Sequence, residues 1–129
     1  MKPSETTIEL SKELWNLGVR KEVRRGDWFI DDFGRINLNN YALLSIGDVE
    51  KLKYIPIWAD ANITECIEWL RGKGWKVFNG ASGGGKFLVK IAKIADKQVF
   101  RKRGEAPTLI EALLKAMVKI SNKKEVIKI

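Results

Sequence analysis

WKVFNGASGGGKFLVKIAKIADKQVFRKR, residues 75–103, decides how the chain is read. Three β-prone runs lie in it, Trp75 to Asn79, Lys86 to Ala92 and Gln98 to Arg103. The Gly-rich stretch 80–85 and the polar stretch 93–97 separate them, and short β-prone runs bounded by turn formers read as an antiparallel meander. Side chains alternate across a strand, which groups Lys76, Lys86 and Lys90 with Phe78 and Leu88 on one side. Trp75, Val77, Phe87, Val89 and Ile91 take the other side and make the better core. The first face mixes lysine with an aromatic ring. That suits phosphate attraction and base stacking, or else a solvated strand whose lysine stems lie over partly buried apolar groups.

Helices flank this meander. Thr108-Leu109-Ile110-Glu111 is a capping box after Pro107, and Ile110, Leu113, Leu114, Met117 and Ile120 repeat with the spacing of a buried helical face. Upstream, Asn62-Ile63-Thr64-Glu65 is another box, with Cys66, Ile67 and Leu70 on one face and Gly72 or Gly74 as the stop. A third box, Thr6-Thr7-Ile8-Glu9, opens a helix to Leu17 that Gly18 ends. Its Leu10, Leu14 and Leu17 form one stripe, while Ile8 and Trp15 fall nearly opposite. Two apolar faces imply two sets of contacts, so a two-fold dimer through Ile8 and Trp15 is expected.

Between the first two helices, Asp27–Ile30, the turn Asp31–Gly34 and Arg35–Leu38 read as a β-hairpin. Residues 39–53 show no decisive pattern. Tyr54–Trp58 looks extended, and Pro56, which lacks a backbone donor, favours an edge strand or a loop. The expected order is α-β-β-α-β-β-β-α. This is an α+β fold in which an antiparallel or mixed sheet, hairpin plus three-strand meander, is covered by three helices. Its 129 residues suit a single domain, 1–129, with a frayed basic tail at 122–129 in which Val126–Ile129 could pair as a strand.

Charge is distributed unevenly. The net charge is +8, yet residues 1–64 carry 9 Lys and Arg against 10 Asp and Glu, while residues 65–129 carry 15 against 6. Between Arg71 and Arg103 there are ten basic residues and one acid, Asp96, which suggests an anionic partner or a solubilising surface. No histidine is present, so the commonest neutral-pH base and the commonest nitrogen ligand for metals are missing. No enzyme or cofactor is expected. The single Cys66 lies among apolar residues and reads as a buried structural thiol. No apolar run reaches the roughly 18 residues of a membrane span, and Met1-Lys2-Pro3-Ser4-Glu5 lacks the apolar centre of a signal peptide. A cytoplasmic protein without a membrane partner is expected.

Gly80-Ala81-Ser82-Gly83-Gly84-Gly85-Lys86 matches a phosphate loop up to its lysine and then fails at Phe87, where a magnesium-binding hydroxyl and a helix start are needed. A hairpin turn explains it better. Such a turn can still bind anions weakly, because glycines let successive amides point into one concavity. The expected ligand site is therefore Lys76, Phe78, Gly83, Gly84, Gly85, Lys86, Lys90, Arg101 and Arg103. Of the five tryptophans, Trp69 and Trp75 read as packing residues, while Trp28 and Trp58 join Ile8 and Trp15 as candidates for a partner surface. Asp27, Asp31 and Asp32 could hold a hard cation, but aspartate favours turns for its own backbone bonds, and the turn reading is preferred.

Several stretches resemble the phage ABA-sandwich family of small phage and prophage proteins. They are Ile55-Pro56-Ile57-Trp58-Ala59-Asp60, the helix ending Trp69-Leu70 before Gly74-Trp75, and Ala106-Pro107-Thr108-Leu109-Ile110-Glu111-Ala112-Leu113-Leu114-Lys115-Ala116. The likeness spans roughly residues 6–120, and its motifs are caps and core positions, so it implies a fold and a phage setting but no catalytic residue. The expectation is a non-enzymatic accessory protein that captures a phosphate-bearing ligand, a host-defence signalling nucleotide or nucleic acid. The alternative is an interaction module that blocks a host or phage protein through a tryptophan-rich surface.

Overall fold

The computed structural model describes residues 2–122; the basic tail, including the expected Val126–Ile129 strand, lies outside the described residues apart from Asn122. The fold is α+β, and the chain divides into two compact units, Met1–Asn62 and Ile63–Ile129.

The first unit opens with α1, Glu5–Asn16. Its N-cap is Ser4 rather than Thr6, two residues upstream of the expected box: Ser4 Oγ accepts from the Thr7 amide at 3.1 Å and donates to the Thr7 hydroxyl at 2.9 Å. Thr7 is thereby free to be buried, and the hidden stripe is Thr7, Ser11 and Leu14 rather than Leu10, Leu14 and Leu17. Leu17 is the C-cap and Gly18 takes φ +91°, which ends the helix where expected. Strands β1 (Trp28–Ile30) and β2 (Ile36–Leu38) form the expected hairpin, and β3 (Ile55–Ile57) pairs antiparallel on the other side of β1. The order β2-β1-β3 puts Pro56 on an edge strand, where its missing N–H disturbs no central ladder.

A fourth helix, α2 (Ile46–Leu52), occupies the unassigned region. Ser45 and Asp48 form a reciprocal capping box, and Lys53 ends the helix at φ +60°. The Ser45-Ile46-Gly47-Asp48 signal was present in the sequence, but Gly47 in the first turn and aspartate in place of glutamate weaken it.

The second unit runs α3 (Ile63–Gly72), β4 (Lys76–Ser82), β5 (Lys86–Ala95), β6 (Gln98–Ala106) and α4 (Leu109–Ser121). The three strands form an antiparallel meander in the order β4-β5-β6, longer than the sequence runs suggest because the turns shrink to residues 83–85 and 96–97. Thr108 caps α4, accepting from the Glu111 amide at 3.3 Å. Helix α4 buries Ile110, Ala112, Leu113, Leu114, Ala116 and Met117 over one face of the sheet, whose buried residues are Val89, Ile91 and Ala106. Cys66 and Leu70 of α3 are fully buried in this unit's core, as expected for a structural thiol.

The β5–β6 turn places Asp96 at φ +51° and Lys97 at φ +65°. Both are left-handed, the backbone of a two-residue hairpin turn that prefers Asn-Gly. Asp96→Asn with Lys97→Gly should therefore stabilise the fold by about 0.5–1 kcal/mol, raising the melting temperature by a few degrees in calorimetry.

Candidate functional site

The registers of the meander fix what shares a face. Phe78 lies opposite Lys90, which lies opposite Arg103; the next row is Lys76, Ala92 and Arg101. Helix α4 covers the other face, because an added Cβ on Gly104 would lie 2.2 Å from the Ala112 carbonyl oxygen, and Gly104 pairs with Val89. The face of Phe78 is open. Phe78 is 56% exposed, and Lys76, Lys86, Lys90, Arg101 and Arg103 are all exposed. Among the described residues none of these five cations is paired with a carboxylate, and the one acid on the face, Glu105, stands opposite Leu88, one row away from Phe78. Ile94 and Val99 form an exposed apolar row at the far end.

A hollow of about 440 Å³ sits on this face, with Phe78, Lys90, Ala92, Arg101 and Arg103 among its lining residues. Ala92 makes room for it, because a small side chain stands between Lys76 and Arg101. The alternation of 86–92 already placed Ala92 beside Lys90, but nothing in the sequence marked a small residue as a floor. Lys93 points to the covered face, where its ammonium donates to the Lys73 carbonyl at 3.0 Å and serves the end of α3.

The expected ligand site separates into two parts. Lys76, Phe78, Lys90, Arg101 and Arg103 come together, and Lys86 lies further along the same face. Gly83, Gly84 and Gly85 form the β4–β5 turn, with Gly84 at φ +81° and Gly85 at φ +75°. Gly85 is five residues from Lys90 along β5, about 17 Å at strand rise, so the turn does not line the hollow. Lys86 opens a strand and not a helix, which removes the dipole that a phosphate loop requires.

The tryptophans occupy other roles. Trp58 is 4% exposed, which corrects its expected place on a partner surface. Its amide donates to Ser11 Oγ at 3.0 Å, and the Lys21 ammonium lies 5.4 Å from its ring centre. Trp28 is half-buried in the middle strand of the first sheet. Ile8 and Trp15 are also half-buried, and the Arg20 guanidinium lies 3.7 Å over the Trp15 ring, covering a face the dimer expectation had left bare.

The aspartates divide likewise. Asp31 Oδ1 accepts from the Phe33 and Arg35 amides and its Oδ2 from the Asn37 side chain, which is the turn role. The Arg35 amide foremost holds this carboxyl below the usual carboxylate range, opposed by desolvation and helped by the Asn37 and Phe33 donors and the Arg35 charge. Asp27 is buried against Lys21, and no cluster that could hold a metal ion occurs among the described residues. No helix of the described residues is long and apolar enough to cross a membrane.

No protein-family model matches the chain, and no curated protein or solved structure matches it either. The resemblance to the ABA-sandwich family therefore rests on the motifs in the sequence itself.

Proposed function

We propose that the protein binds a phosphate-bearing ligand on the open face of the β4-β5-β6 sheet and does so without catalysis. The observation that carries this reading is the set of four cations around exposed Phe78, with Lys86 further along the same face, none of the five paired with a carboxylate among the described residues, on a face with one acid. Such a field raises the local concentration of anions, and an aromatic ring among the cations offers a surface for a base. In the phage setting that the resemblance implies, the ligand would be a signalling nucleotide of the host or a nucleic acid, and the protein would act in the host cytoplasm.

Charge reversal tests it. Lys76, Lys86 and Lys90 changed together to glutamate should keep the fold, because all three are exposed and surface substitutions usually cost less than about 0.5 kcal/mol each. Binding of nucleotides or of a polyanion such as heparin should fall at least tenfold, about 1.4 kcal/mol. Unchanged affinity in the folded variant would move the site elsewhere.

A further inference from the structure

Resting on that reading, we propose that the ligand is single-stranded nucleic acid, with an unpaired base stacked on Phe78 and the strand's phosphates held by the lysines and arginines around it. Phe78 is more than half exposed, and among the described residues no other ring stacks on it and no cation sits over it. Phe78 stands on the edge strand β4 in the same row as Lys90 and Arg103, and a base is the partner whose chemistry matches both the ring and the surrounding charge.

The spread of charge favours a polymer over a mononucleotide. From Lys86 to the row of Lys76 and Arg101 the cations extend over seven residues of β5, six strand rises or about 20 Å, on an open face. The hollow beside Phe78 has room for one nucleotide, but it opens onto a wider face, and Lys86 lies beyond the row of Leu88 and Glu105, where a strand would reach it and a mononucleotide in the hollow would not. The single-stranded form is dictated by Phe78. Bases within a duplex have both faces occupied by their neighbours, so a sheet aromatic reads bases that are unpaired.

Fluorescence anisotropy on the full chain provides the test, with labelled thymidine and uridine single strands of about 15 nucleotides, a duplex of equal length, and heparin as a polyanion without bases. The single strands should bind more tightly than the duplex, and their affinity should fall steeply between about 50 and 200 mM salt. Phe78→Ala should weaken single-strand binding about tenfold and leave heparin binding unchanged. Phe78→Leu, which keeps apolar volume and removes the ring, should do the same and guards against an effect of the fold. Single-strand affinity unaltered by both Phe78 variants, or a duplex bound as tightly, overturns the proposal. If the triple-glutamate variant still loses heparin in that case, the phosphate-binding reading survives. If that variant binds every probe as the wild type does, the phosphate-binding reading falls with it.

Discussion

Gly104→Val should lose roughly 3 kcal/mol or more of stability, seen as a large drop in the urea midpoint or as failure to accumulate folded protein. The reason is backbone against backbone. A Cβ at position 104 would stand 2.2 Å from the Ala112 carbonyl oxygen and 3.0 Å from the Ala116 nitrogen, and neither atom can rotate away as a side chain could. Helix α4 would have to lift from β6, withdrawing Leu113, Leu114 and Met117, each fully buried, from their contacts. Natural domains hold only about 5–15 kcal/mol of net stability, so this is a substantial fraction. Gly80→Ala in β4 is the matched control. Nothing lies within 4 Å of the Cβ it would add, and its midpoint should barely move. An ordinary midpoint for Gly104→Val would mean that α4 does not rest on the sheet this closely.

The second large effect belongs to the first unit. Lys21 and Asp27 are each 6% exposed and face one another at 3.2 Å. Asp27 Oδ2 also accepts from the Arg24 amide at 2.8 Å, and its Oδ1 accepts from the Asn62 side chain at 3.1 Å. Asn62 in turn accepts from the Ala59 amide at 2.9 Å, so one carboxylate ties residues 21–27 to residues 59–62. Asp27→Ala removes the carboxylate that faces a buried ammonium at 3.2 Å and accepts from Arg24 and Asn62, and should cost about 3–5 kcal/mol by chemical denaturation. Lys21→Met combined with Asp27→Leu should recover much of that loss, since replacing a whole buried pair with apolar groups is often close to neutral. Equal losses in the single and double variants would show that the hydrogen bonds to Arg24 and Asn62, and not the charge pair, hold this region.

Local signals in the sequence determined most of the elements. Thr108 with Glu111, the glycine after Leu17, and the alternation of residues 86–92 each act over a few residues, and each has its counterpart in α4, the end of α1 and β5. Alternation also sorted Phe78, Lys76, Lys86 and Lys90 from Val77, Val89 and Ile91, because strand geometry alone decides which side a residue takes. Tertiary structure decided what local pattern does not encode. The pairing of β5 with β6 brought Arg101 and Arg103 beside Lys90 and Phe78, and Ala92 became the floor of a hollow only when Lys76 and Arg101 stood on either side of it. Register is set by the packing of α4 against Gly104 and by turns of two and three residues, and a shift of one residue would have reversed every side chain on the face. The same holds for Trp58 and Asp27. Trp58 suggested a partner surface and Asp27 a turn, but Ser11, Lys21 and Asn62, distant from one or the other in sequence, draw both inward, and only the folded chain brings such partners within reach.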